Sequence, residues 1–252
     1  MQISFHKLAG VPALDLAYFW RMQIDGPAAV LADHVIPELC YDFLYVQQGQ
    51  LAWAATDSEP PQPLPAQSLR TLHSRGHKLH FTLPLVLYGA RFYLRLAENI
   101  ANVLPAGRFL PLNWLRTPVN SLHDFANQLQ PALQADRQPH LAGPMFRSGL
   151  NESTWLAAYS PRQRRRFYQS VFGLSRQHLL AIENLHRFLG QTCNFGDENP
   201  RLIEYVDDEA YYDQPHLNRA FRKMTGFTPL AYFEASTILQ DNLMAASYNA
   251  AG

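Results

Sequence analysis

The sequence predicts an α+β protein of two domains, a β-rich N-terminal domain over residues 1–142 and an all-α C-terminal domain over 143–252. Three observations predict it. Short apolar or alternating runs broken by turn residues fill the chain to about Leu115. From about Gly149 the apolar residues recur at helical spacing to the end. Between them, residues 137–148 carry Pro139, Gly143 and Pro144, a composition typical of a boundary.

Composition narrows the class. Hydrophobic residues are 47% of 252 and aromatics 12%, enough for a buried core, which excludes a disordered chain. Lys+Arg and Asp+Glu balance at 21 each, so bulk charge cannot drive binding to nucleic acid and any basic surface must be local. Cys40 and Cys193 are far apart, with no disulfide framework and no CxxC pair, as expected in a reducing compartment. Met1 to Gly10 lacks an apolar targeting core, and no run approaches the ~20 apolar residues of a spanning helix. A cytoplasmic protein without a membrane partner is the expectation.

In the N-terminal half, Tyr41–Val46 is aromatic and β-branched, and Gln47-Gln48-Gly49-Gln50 reads as a turn into a hairpin partner, Leu51–Ala54. Pro60, Pro61, Pro63 and Pro65 make Ser58–Ser68 an extended exposed loop. Lys78–Leu83 alternates polar and apolar, and Val86–Leu94 continues the sheet. Leu122, Phe125, Ala126 and Leu129 line one face of a helix over Ser121–Leu133, bounded by Pro118 and Pro131.

The C-terminal half contains an internal repeat. At a shift of 53 residues, Ser160 falls on Asp213, Arg166 on Arg219, Tyr168 on Phe221 and Gly173 on Gly226. Ser160 and Asp213 are helix-capping types, Pro161 suits a first helical position, and Gly173 and Gly226 suit helix ends. A short helical stretch precedes each block, Asn151–Ala158 and Leu202–Ala210, giving two helix-turn-helix patterns. Leu179, Ile182, Leu185 and Leu189 predict a linker helix between them, spanning roughly 20 Å at 1.5 Å per residue.

The segment Tyr211–Pro229 (YYDQPHLNRAFRKMTGFTP) and the first block, SPRQRRRFYQSVFGLS over 160–175, together resemble the AraC/XylS-type transcription regulators. The resemblance covers roughly Leu150 to Phe233. It implies sequence-specific binding of double-stranded DNA, with Arg162, Arg165, Arg166, Gln214, His216 and Arg219 facing the major groove. Asn218 joins them as a reader of bases, since Gln and Asn can pair bidentately with adenine, and Arg222 and Lys223 are placed for phosphate. The segment Pro37-Glu38-Leu39-Cys40-Tyr41-Asp42 is similar to one that opens the small, cupin-like β-barrel sensor of one sub-group. That implies a small-molecule effector or partner chain at the N-terminal domain, and a homodimer formed through it. The sequence departs from the family's pattern at Ala158-Tyr159, Arg164, Glu209 and Ala210.

The residues support the same chemistry independently. Residues 162–176 carry five arginines and no acid, while Asp207-Asp208-Glu209 lie apart from them. The competing reading of such a run is a solvated charged face; the repeat favours DNA. His73, His77 and His80 invite a metal, but no acid or cysteine accompanies them, no HExxH occurs, and a polar loop around Gly76 is preferred. Cys40 reads as a small buried hydrophobe. No nucleophile, phosphate-loop or dinucleotide motif is present, so no enzyme activity and no cofactor are expected. Two alternatives stand beside the regulator: a cupin-like metal enzyme with an accessory helical domain, and a degenerate family member that binds protein.

Overall fold

A computed structural model describes residues 1–56, 58–100, 104–138, 143–192 and 214–234. Strands β1 (Gln2–Ala9), β2 (Leu16–Asp25), β3 (Val30–Val35), β4 (Cys40–Gln48), β5 (Leu51–Ala54), β6 (Gln62–Pro63), β7 (Gln67–Arg70), β8 (His77–Thr82) and β9 (Leu85–Tyr93) come first. Helix α1 (Leu96–Asn99), strand β10 (Phe109–Pro111) and helix α2 (Leu122–Asp136) follow. A small hairpin, β11 (Phe146–Ser148) and β12 (Asn151–Glu152), leads into α3 (Thr154–Ala157), α4 (Pro161–Phe172), α5 (Arg176–Thr192), α6 (Gln214–Thr225) and α7 (Pro229–Glu234). The chain is thus β-rich first and helical later.

The long strands form two antiparallel sheets, ordered β1-β2-β9-β4-β7-β10 and β3-β8-β5-β6. Strand β8 is buried at every second residue, as its alternation predicts. Strand β9 is buried at all but its last residue because both of its faces are covered. Tyr18, Trp20, Met22, Ile24, Leu85 and Leu87 of the larger sheet meet Val35, Leu51, Leu79 and Phe81 of the smaller in one core. Gly89 has to be glycine here: a Cβ would lie 2.1 Å from the Trp20 ring packed across it. The outer face of the larger sheet, Phe19, Phe43 and Tyr88, packs on Phe125 of α2. This second core continues without a break into Tyr168, Leu185, Phe221 and Tyr232 of the later helices.

Two sequence expectations are corrected and one is extended. β4 and β5 are not hairpin partners: β4 pairs with β9 and β7, and β5 with β8 and β6. At Gly49, whose φ is +84°, the chain passes from one sheet to the other, and Gln50 and Thr82 bond each other across the corner. Helix α2 forms as expected, with Pro131 inside it, and extends beyond Leu133 to Asp136. Pro131 and Asn127, whose carbonyl loses its helical donor, are both exposed, so that carbonyl is open to solvent. Asn151–Glu152 is strand rather than helix, because it pairs back on Phe146–Ser148, and the first short helix is the single turn α3. The expected helix over 202–210, the acidic triplet, the cap at Asp213, and Cys193 lie outside the described residues.

Candidate nucleic-acid interface

Helix α4 forms where the sequence supplies both of its ends. Ser160 and Gln163 make a reciprocal capping box, Pro161 occupies the first turn, and Gly173 closes the helix at φ +66°. Tyr168 and Phe172 are buried and lie 5.9 and 5.7 Å from the Phe146 ring. That contact fixes the helix's rotation. Arg162, Arg165, Arg166 and Gln169, at i, i+3, i+4 and i+7, therefore form one exposed stripe. Among the described residues no acid forms an ion pair with these three arginines.

Arg164 points elsewhere. Its Nη1 lies 2.8 Å from Oε2 of Glu152. Oε1 of the same carboxylate accepts from the Tyr168 hydroxyl at 2.8 Å and faces Arg176 Nε at 3.2 Å. Burial alone would raise the Glu152 carboxyl. The bonds from Arg164 and Tyr168 and the two arginine charges outweigh it and hold the group below the usual range. Burial, with Glu152 beside it, pushes the Tyr168 hydroxyl up. One acid therefore ties the hairpin to α4 and to the start of α5. An arginine at position 164 suits the packing because Glu152 receives it. Sequence reasoning missed Glu152; the signal was an acid beside an arginine at an expected apolar position.

Helix α6 has the same length as α4, 12 residues, and each end is displaced from its counterpart by 53 positions. Leu217, Phe221 and Met224 are buried, and Phe221 packs on Phe188 of α5 and Tyr232 of α7. Arg219 and Arg222 are exposed and Asn218 is half-buried. Gln214 opens the helix, and its side chain is outside the described residues. His216 and Lys223 are exposed too, but they line a cleft against Ser74 and Arg75 of the β-rich part. The structure thus splits the expected second reading set: Arg219 and Arg222 stand apart from that cleft.

Beside the shared apolar core, polar and ring contacts among the described residues join the sheets to the later helices at two places. At the first, Gly76 N donates to Met224 O at 2.6 Å and the His34 ring meets Phe227 at 4.7 Å. At the second, His186 Nε2 of α5 is 2.6 Å from the Pro37 carbonyl, beside a buried ionic cluster. The inner faces of β9, β4 and β7 place Arg91, Asp42 and Arg70 in one row, and the preceding loop adds Glu38. Arg91 makes four bonds of 2.7–3.0 Å to the two carboxylates. Arg70 reaches Glu38 at 2.6 Å and Asp42 at 2.7 Å. Burial would raise Glu38, but Arg91 and Arg70 hold its carboxyl at about 2.

Cys40 lies in the same cluster, and burial pushes its thiol well up, away from thiolate chemistry. Glu38, Cys40 and Asp42 are close enough to share an ion, yet two guanidinium groups already face them. His73 and His77 stack at 4.1 Å, and burial lowers both imidazoles, His73 to about 4. His80 lies on the opposite face of β8 from His77, so the three histidines do not converge. Among the described residues no helix is long and apolar enough to cross a membrane.

No protein-family model matches the chain, and no curated protein matches it in sequence. Among solved structures, ToxT from Vibrio cholerae is 7% identical with a TM-score of 0.43, covering 92% of this chain and 97% of its own. A predicted oxalate decarboxylase from Thermotoga maritima is 15% identical with a TM-score of 0.26, covering 36% of this chain and 81% of its own. Both TM-scores are too low for either likeness to speak for function.

Proposed function

We propose that this chain is a sequence-specific DNA-binding transcriptional regulator, acting in the cytoplasm. Its β-rich domain, residues 1–142, serves as sensor for a small effector or a partner copy. Its helical domain, 143–252, reads double-stranded DNA with two helix-turn-helix units joined by α5. The observation that carries the reading is the stripe Arg162, Arg165, Arg166 on α4. That helix is capped at both ends, buried on its other face and repeated in length and spacing by α6. Arginine's planar fork matches guanine O6/N7 and phosphate oxygens. Asn218, Arg219 and, from the sequence, Gln214 are the base readers of the second unit, and Arg222 is its phosphate contact.

The test is a titration of the full chain against DNA from its own promoter at several salt concentrations. Log K should fall with log salt by about 0.9 per neutralised phosphate, and five contacts give a slope steeper than about −4. A flat response removes the reading. A monomer should also protect two patches about 10 bp apart, one for each reading helix.

A further inference from the structure

Residues 71–77 link β7 to β8 and touch two of the later helices. Thr71 N donates to Arg108 O at 2.9 Å, and Gly107 N donates to Leu72 O at 2.7 Å. The loop so held brings Ala106 against the Gly173 end of α4, where a Cβ on Gly173 would lie 2.5 Å from Ala106 N. Gly76 N donates to Met224 O of α6 at 2.6 Å. A Cβ on Gly76 would meet His34 Nε2 at 2.4 Å, so only glycine permits that approach. One short segment thus anchors the ends of both α4 and α6.

Inside this segment two histidines sit where a charge is poorly received. His73 and His77 are 7% and 2% exposed, and their rings stack at 4.1 Å. Trp53 of β5 and Phe109 of β10 close in on both rings. Nδ1 of His73 donates to the Thr71 carbonyl at 2.8 Å, and Nε2 of each ring is buried with no hydrogen-bond partner among the described residues. An imidazolium carries two N–H donors, so each ring, once charged, would bury at least one of them unpaired and lay its charge on the other ring. Arg70 of β7 bears on both rings and His34 of β3 on His77, and both act against protonation. Arg70 is itself paired with Glu38 and Asp42. Asp33 of β3 is buried opposite Leu79, while Arg75 and Arg108 are exposed and Lys78 follows His77 on the other face of β8. On α6, His216 and Lys223 line the cleft at Ser74 and Arg75.

We propose that His73 and His77 form an acid-sensitive latch: neutral and stacked, they hold the 71–77 segment against α4 and α6, and protonation opens the segment and frees both helix ends from the β-rich domain. Burial and Arg70 hold His73 at about 4, and burial, His73, Arg70 and His34 hold His77 well below its ordinary 6.5. Opening puts both rings in water, where they titrate at about 6.5. The open form therefore takes up protons that the closed form refuses. Above 6.5 the latch is at full strength. As pH falls from 6.5 toward 4 it weakens by up to about tenfold per pH unit for each ring. For His73 the whole window amounts to about 300-fold in the ratio of closed to open. The latch belongs to the β-rich domain and its junctions, and it stands whether or not the helices read DNA.

The experiment is hydrogen exchange of the full chain without DNA, read at single amides by NMR from about pH 7.5 to about pH 5 and corrected for the intrinsic exchange rate. The Gly76 amide is the direct reporter, since its bond crosses to α6. Over that range its protection should fall about thirtyfold for each ring that charges. Amides of β9 paired with β4 should keep theirs. His73→Phe and His77→Phe leave a flat ring in the stack and remove the proton site. Each should abolish one thirtyfold factor, and the double variant should protect Gly76 as well in acid as at neutral pH. His80→Gln, on the opposite face of β8 from His77, should respond as the parent does. If the phenylalanine variants do not fold, the imidazole carbons of the parent give the second measurement, and both rings should stay neutral down to about pH 5 in the closed chain. Unchanged Gly76 protection in acid, the same acid response in the double variant, or ordinary titration of both rings near 6.5 would each overturn the latch.

Discussion

Arg91→Met should be among the most damaging single changes in the β-rich domain. The guanidinium is buried, with 5% of its side chain exposed, and makes four short bonds to Glu38 and Asp42, themselves 5% and 1% exposed. Each charge-assisted bond is worth about 1.5–3 kcal/mol taken alone. The sum is not realised, since the desolvation of four ions offsets much of it. What the substitution exposes is the imbalance left behind: two buried carboxylates with Arg70 as the one guanidinium of the cluster still beside them. Breaking a buried pair in this way costs about 3–5 kcal/mol. At roughly 2–4 °C per kcal/mol for a chain of this size, Tm should drop by about 6–20 °C.

Acid titration adds a second readout of the same change. Glu38 is held at about 2 in the folded chain against an ordinary 4.5, so its contribution is complete above 4.5 and is lost as pH falls toward 2. Arg91→Met moves that carboxyl back up, and the variant should lose less stability over the same window. Replacing all four ions together with apolar residues should recover much of the loss, because no unpaired charge then remains. Chemical denaturation of the three proteins at neutral and acid pH measures all of this. A cost below about 1 kcal/mol for Arg91→Met, the range of exposed pairs, would show that water reaches the cluster and refute the reasoning.

Glu152→Gln removes the shared acceptor of Arg164, Tyr168 and Arg176; it should cost about 1–2 kcal/mol in denaturant, discounted because both arginines are partly exposed, and less DNA should be bound at a given concentration. Ser160→Ala removes one side of the capping box and should cost about 1 kcal/mol, readable as a shift in denaturation midpoint at unchanged slope. Arg166→Ala should cost about 1–3 kcal/mol of specific binding and Arg219→Ala less, because the second reading helix follows directly on Asp207-Asp208-Glu209 in the chain. Changing Asp207 and Asp208 to Asn should tighten DNA binding at low salt, with the gain shrinking as salt rises; an equal affinity at low salt would show that these acids do not face the phosphates.

The elements legible in the sequence are those whose signal is local. Strand β8 announced itself through alternation, and α4 through a cap, a proline and a terminal glycine that lie within one short segment. The 53-residue repeat placed α6 because a shared spacing needs no knowledge of tertiary contacts. Misreadings arose where distant partners decide. Leu51–Ala54 follows a turn after Tyr41–Val46 and so looked like its hairpin partner, yet it is claimed by β8, some twenty-five residues later in the chain. Asn151–Glu152 has helical neighbours, but three residues of Phe146–Ser148 capture it as a strand. The site divides the same way. The exposed arginine stripe was visible as a run, whereas Glu38, Arg70, Arg91 and Glu152 acquire meaning only from residues brought beside them by the fold.

That division separates the two helices proposed to read DNA. Helix α4 is held by Phe146 and Glu152 of the helical domain and, at its Gly173 end, by close approach to Ala106 of the β-rich domain, and its arginines do not line the cleft at the 74–76 loop. Helix α6 is fixed by α5 on one side and by Gly76 and His34 of the β-rich domain on the other. A change in the β-rich domain can reach α6 through the Gly76–Met224 bond and the His34–Phe227 contact, and α4 through the Gly173–Ala106 approach. Since the buried cluster at Glu38 also abuts α5 through Pro37 and His186, the linker helix touches the same domain from a second point. Helices α5 and α6 thus each have a polar anchor on the β-rich domain. Loosening either contact, by Gly76→Ala or by Arg91→Met, should then disturb the second protected patch on DNA before the first.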